Sequence, residues 1–369
     1  MPDPRVVKLA RLLVEYSTRI QKGDRVAIEA QPAADPFVRA LFERVLEAGG
    51  HPYIFYTPSW WAEDVIKYGD DEQIARAPAL RREAYEKFES RIRIYSESNT
   101  RALSGAVLAR EALYKNAIGE IIRIQMERGA KGKFRWLTTL YPTEAYAQDA
   151  EMSLTEFEDF VYQACHVDDE TPDPVAFWNG VRQSQEHIVE ALRGHDQVTV
   201  RGPNCDLSLS IKGRMFLNAF GDHNMPDGEV FTGPVEESVN GWIRFSYPAI
   251  HEGHEVDGVE LRFAEGRVVE AKAEKNLPYL LELIDGDAGG RYLGEFAIGN
   301  NFGVKRFTRQ ILFDEKIGGT IHAALGAGYP ETGSKNKSAI HWDMICDMRG
   351  GGEIRVDGDL IYKDGRFQI

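Results

Sequence analysis

The periodicity of the chain changes near its middle, and that change limits the architectures open to it. In the first part, helical apolar spacing alternates with short apolar runs. Val6, Leu9, Leu13, Tyr16 and Ile20 follow Asp3-Pro4, a cap and a first-turn proline, and Gly23 closes the helix. Val26-Ala27-Ile28 is a short strand. Asp35-Pro36 repeats the capping pattern, Leu41, Val45 and Leu46 form an inner face, and Gly49-Gly50 ends the segment. Tyr53 to Tyr56, Arg91 to Tyr95 and Phe134 to Leu137 read as further strands, the last two separated by a helix around Leu108 to Met126. Strands spaced by helices predict right-handed crossovers and a mostly parallel sheet.

Residues 168–174, Asp-Asp-Glu-Thr-Pro-Asp-Pro, read as a linker. A helix around Val181 to Leu192 fits either side of it. After that, short β runs dominate: Val198 to Val200, Leu207 to Ile211, Val259 to Phe263 and Val268 to Ala271. Asp357-Gly358 and Asp364-Gly365 are hairpin turns. The 369 residues exceed what a single core of about 250 residues accommodates. The expectation is an α/β N-terminal domain with a mostly parallel sheet over residues 1–167, then an α+β, β-rich domain over residues 168–369.

With 44 Lys and Arg against 58 Asp and Glu, the net charge of −14 argues against nucleic-acid and membrane-surface partners. Met1-Pro2-Asp3-Pro4 leads straight into a charge-studded helix pattern, without the apolar stretch of a leader or a membrane span. The three cysteines, Cys165, Cys205 and Cys346, are widely spaced and odd in number. They suit small buried thiols in a reducing cytoplasm rather than a disulfide framework.

Chemistry-bearing residues concentrate in the second part. Ser338 to Ile345 alternates like a strand, with Ile340, Trp342 and Met344 on one face and His341 and Asp343 on the other. That pair is either half of a divalent-cation site or a His–Asp hydrogen bond on a sheet surface. His322 is the one polar side chain between Ile321 and Leu325. Glu229 directly precedes an apolar run and Glu295 lies inside one, where a charge is costly unless paired or metal-bound. Asp314-Glu315 stands shortly before His322. His251-Glu252-Gly253-His254-Glu255 looks like HExxH, but its second histidine comes three residues after the first instead of four; it reads as a polar loop. No GxSxG, GxGxxG or GxxxxGK[ST] pattern occurs, and Gly286 to Gly290 and Gly350 to Gly352 read as turns.

Taken in order, Asn224-Met225-Pro226-Asp227-Gly228-Glu229-Val230-Phe231-Thr232, Leu293-Gly294-Glu295-Phe296-Ala297-Ile298-Gly299-Asn300-Asn301, Asp314-Glu315-Lys316 with His322-Ala323-Ala324-Leu325-Gly326, and His341-Trp342-Asp343 resemble the M29 family of metalloaminopeptidases. Gly23-Asp24-Arg25-Val26 and Ala48-Gly49-Gly50 extend the resemblance into the first part. It implies a cytoplasmic, homodimeric peptidase that removes N-terminal residues from peptides. It also implies two divalent metal ions, Zn, Co or Mg, held by Glu229, Glu295, His322, His341 and Asp343, with Glu295 bridging. By the same resemblance Glu315 is a further ligand or the general base, a proton passes through Glu315 or Glu295, and Tyr329 contacts the reacting carbonyl. Two other readings stand beside this one: a metal-dependent hydrolase of small amides, and a non-catalytic α/β binding module.

Overall fold

A computed structural model describes residues 3–251 and 253–369, together with the main chain but not the side chain of Leu108. Met1, Pro2 and Glu252, named above, lie outside the described residues. Two compact units are present. One comprises the chain up to Phe177 together with Gly221–Pro226, and the other comprises Trp178–Phe220 and Asp227–Ile369.

The first unit is built on a five-stranded sheet. Strands β1 (Arg25–Ala30), β2 (His51–Tyr56), β3 (Ser90–Tyr95) and β4 (Arg135–Leu140) run in the order β2-β1-β3-β4, followed by the short strand Asn224–Met225. Every pairing in it is parallel. Helix α1 (Pro4–Leu12) is capped by Asp3, whose side chain accepts from the Arg5 amide. The helix is shorter than the apolar spacing predicts. A π-helical turn over Leu13–Ser17 follows, and Ile20 lies beyond it.

Helix α2 (Asp35–Glu47) also departs from expectation, because Asp35 is its first helical residue and Ala34 its cap. A short 3-10 turn, Pro32–Ala34, already provides the chain reversal. Phe37, Val38, Leu41 and Val45 form the inner face, whereas Leu46 is exposed. One residue beyond Val45, a helix has turned about 100° away from the core. Helix α3 (Leu108–Gly129) runs three residues past the expected end. The expected linker is shorter than 168–174. Pro174 begins helix α4 (Pro174–Leu192), and Asp173 accepts from the amides of Val175 and Ala176.

The second unit holds an eight-stranded and a five-stranded sheet. Turns with positive φ at Asp357, Gly358, Asp364 and Gly365 make its C-terminal hairpins, as those dipeptides require. The stretch read as a polar loop is a two-stranded hairpin, Ala249–His251 with His254–Val256. The five-stranded sheet contains β5 (Leu217–Ala219), β6 (Glu229–Thr232), β7 (Leu293–Gly299), β8 (Thr320–Gly326) and β9 (His341–Asp347), ordered β9-β8-β7-β6-β5 and antiparallel throughout. Val230, Phe296, Ile298, Ile321, Ala323, Leu325, Trp342 and Met344 share one apolar core with Val200, Leu207, Ile243, Leu261 and Ile354 of the eight-stranded sheet. Side chains alternate along a strand, so Glu229, Glu295, His322, His341 and Asp343 occupy the opposite face.

Candidate metal centre

A β-bulge makes that placement possible on β7. Leu293 and Glu295 are two residues apart, yet Leu293 belongs to the core and Glu295 to the polar face, because the register shifts between them. Gly294 occupies the bulge. A Cβ there would lie 2.2 Å from the Ala327 carbonyl oxygen, so no larger residue fits. Register then places Ala324 opposite both Glu295 and Asp343, and Ala297 opposite both His322 and Phe231. Small side chains between the polar ones leave room above the sheet.

The polar side chains converge. His322 Nε2 lies 3.4 Å from Glu229 Oε2, 3.4 Å from Glu295 Oε1 and 3.9 Å from Asp343 Oδ1. His341 Nε2 lies 3.3 Å from Glu295 Oε2 and 3.6 Å from Asp343 Oδ2. The two oxygens of Glu295 thus face different histidines. Three sets bring ligand atoms within 4.8 Å of one another: Glu229–Glu295–His322, Glu295–His341–Asp343 and Glu315–His322–Asp343.

Neighbouring groups orient these side chains. His341 Nδ1 stands 2.7 Å from the Ala327 carbonyl, which leaves Nε2 directed at the carboxylates. The Ser338 hydroxyl and the Ala339 amide both donate to Asp287, anchoring the segment that leads into β9. Gln185 of α4 donates to the main-chain oxygens of Ala219 and Glu229, tying β5 and β6 together. The Thr308 amide and hydroxyl donate to Asp314, which fixes the short helical turn before Glu315.

The electrostatics are those of a site with too much negative charge. Burial pushes Glu229 up to about 8, against the pull of Lys316 and His322. Burial also raises Glu315. Burial would raise Glu295, but hydrogen bonds with His322 and His341 hold it below the usual carboxylate range. His322 rises to about 9, because Glu295, Glu229 and Asp343 outweigh its desolvation. Glu229 Oε2 and Asp343 Oδ1 are buried oxygens that accept no hydrogen bond. Unsatisfied buried carboxylate oxygens are expensive, and a divalent cation satisfies them. The residues present therefore fit a metal centre.

All six acids and histidines named from the sequence as ligands meet here. Tyr329 stands beside them, more exposed. Its ring packs edge-on against His341 and Phe231, with centroids 5.3 and 5.4 Å away. Three neighbours were not assigned roles from sequence. Lys316 is 1% exposed and contacts Glu229, Glu315 and Asp227. Asp227 is likewise buried, and Phe231 shares the polar face. The one local signal for Lys316 is a lysine sitting between acids and the apolar run that begins at Ile317. His251 and His254 are absent from the three donor sets; both pack on Tyr279 instead.

Comparison with known proteins points the same way. The family described as thermophilic metalloprotease (M29) matches residues 3–367. The chain is 27% identical to aminopeptidase T of Thermus thermophilus, over 97% of this chain and 95% of that protein. It is 26% identical to aminopeptidase 2 of Geobacillus stearothermophilus, over 97% and 94%. The solved structure of wild-type AmpT from Thermus thermophilus superposes with a TM-score of 0.87 at 25% identity, covering 99% of both chains. A 2,5-dihydroxypyridine dioxygenase from Pseudomonas putida shares the fold alone, with a TM-score of 0.58 at 13% identity over 98% of this chain and 96% of that one.

Proposed function

Because the chain belongs to the M29 family of thermophilic metalloproteases, and is therefore a metal-dependent aminopeptidase, we propose that it cleaves N-terminal residues from peptides with two divalent cations on this sheet. One observation carries the reading: Glu295 presents one oxygen to His322 and the other to His341, the arrangement of a bridging carboxylate. With Glu295, Glu229 and His322 would hold one cation, and His341 and Asp343 the other. A mixed imidazole–carboxylate set suits zinc or cobalt better than magnesium, which favours oxygen donors. Cations bound there supply Lewis acidity, polarising the scissile carbonyl and acidifying a water.

The remaining steps fall to side chains. Glu315 accepts the proton of the attacking water and returns it to the leaving amine. Tyr329 donates its hydroxyl to the oxyanion that develops on the carbonyl oxygen. The acidic surroundings hold the free α-amine of the substrate, which selects a chain end. Phe231, edge-on to Tyr329, walls the space beside them.

We assign these steps to the domain expected over residues 168–369, within which every side chain named above belongs to the second unit. Among the described residues no helix is long and apolar enough to cross a membrane. Three buried free thiols suit the reducing cytoplasm, where we place the protein. We also propose a homodimer, supported by the apolar residues that edge strand β2 exposes, Tyr53, Ile54 and Tyr56.

Native mass spectrometry and metal analysis of the purified protein test the centre, and two cations per chain are expected. Fewer than two at saturation overturns the dinuclear reading. Cleavage of a free aminoacyl anilide but not its N-acetylated form is expected. Equal cleavage of both removes the exopeptidase assignment.

A further inference from the structure

Lys316 takes no part in the steps above, yet it is among the most deeply buried charges of the unit. Its Nζ lies 2.5 Å from Glu229 Oε1, 2.8 Å from Glu315 Oε1 and 3.5 Å from Asp227 Oδ1. A lysine is almost never buried so fully unless paired. Main-chain bonding fixes its place. The Asn301 amide donates to the Lys316 carbonyl, and the Asn301 side chain donates to the Asp227 carbonyl, so one residue ties both main chains together.

Charge balance gives the ammonium a purpose. Asp227, Glu229, Glu295, Glu315 and Asp343 are five carboxylates. Imidazoles bind metals in the neutral form. One ammonium then leaves four negative charges, which two divalent cations cancel. The donor sets are ambiguous without it, because three overlapping triads serve two positions and Glu315 belongs only to the third.

We infer that Lys316 is the positioning residue that resolves this ambiguity. By holding Glu229 Oε1 it turns Oε2 towards His322, and by holding Glu315 Oε1 it fixes that carboxylate with its other oxygen free for proton transfer. The inference rests on the two-metal reading and deepens it. Lys316 contributes a fixed internal cation, so that the site takes two metals in defined places.

The test is a calorimetric zinc titration of chelator-stripped protein, with the visible spectrum of the cobalt form as a second readout and circular dichroism to check folding. Wild type is compared with Lys316→Met and with the double variant Lys316→Met/Asp227→Asn. The double variant also leaves four negative charges, so it keeps the charge balance where the single variant does not and guards against failure to fold. Wild type is expected to bind two cations. In both variants one binding step weakens about 10- to 100-fold, the usual consequence of losing a ligand's hydrogen-bond partner, and the other keeps its affinity. The cobalt spectrum of the weakened position changes with it. Wild-type affinity at both steps in a folded variant overturns the inference alone. Recovery of wild-type affinity in the double variant also overturns it, since charge and not position would then be what Lys316 supplies. A wild-type protein that binds fewer than two cations overturns the dinuclear reading, and this inference falls with it.

Discussion

Each unit buries a cluster of charges against a sheet, and the two clusters differ in what they lack. In the first unit Glu29 is 3% exposed and lies between Arg81 and Arg93, 3.3 and 3.0 Å away, with the Tyr85 hydroxyl donating to it. Arg91, on the same face, donates to Gln125 and to the Leu137 carbonyl. Positive groups outnumber the carboxylate, and protein acceptors take the terminal nitrogens of Arg91, though not its Nε. In the second unit five carboxylates surround one lysine and two histidines, and two buried oxygens accept nothing. Burial of charge is common to both. Each also holds a buried carboxylate oxygen without a hydrogen bond, Glu29 Oε1 in the first unit and Glu229 Oε2 in the second, so it is the sign of the excess that separates a self-contained ion cluster from one that needs a cation.

Breaking each cluster should therefore have different consequences. Glu295→Gln removes the shared ligand, so kcat/KM for an aminoacyl anilide is expected to fall on the order of 10³-fold with loss of bound metal. Full activity with intact metal content would take Glu295 out of the centre. Glu29→Gln leaves two guanidiniums facing a neutral amide. Urea unfolding should show a loss of about 3–5 kcal/mol while metal content stays as in wild type. If metal content drops instead, the two clusters are not independent.

Tyr329→Phe sharpens the comparison within the second unit by removing a donor without touching the charges. A fall in kcat of about 10²-fold with little change in KM and no loss of metal is expected. An unchanged kcat would end the oxyanion role.

The smallest effect concerns acid and base. Burial would raise Glu29, but Arg93 and Arg81 outweigh it and hold the carboxyl below the usual range. Its stabilisation is complete above the unfolded value of about 4.3 and fades as pH falls through the lower folded value. Asp314 behaves in the opposite sense. Burial raises it to about 8, against hydrogen bonds from Thr308. Its contribution is complete below the unfolded value of about 3.9 and is lost as pH rises through about 8. Asp314→Asn should accordingly melt a few degrees higher than wild type at pH 8 and about equally at pH 4. Parallel pH profiles would refute the assignment.

Much of this site was legible residue by residue. His341 and Asp343 declared themselves by alternating with Trp342 and Met344. Glu295 and His322 did so as lone polar groups in apolar runs. Leu46 was misplaced because a helical face is read from spacing, and one step of 100° carries a residue from core to solvent. Asp35 was misread as a cap because the preceding turn at Pro32–Ala34 left no local signature strong enough to displace it.

Period-two and period-3.6 patterning, caps and the Asp-Gly turns are local properties, so the linear chain by itself determined the two textures, the parallel and antiparallel sheets and the candidate donors. Which donors meet was decided in three dimensions. Lys316 and Glu229 are 87 positions apart and touch because β6 pairs with β7 and Asn301, just beyond β7, bonds the main chains of both Lys316 and Asp227. Charge balance in a buried site is a sum over such distant neighbours, and no window along the chain contains all of its members.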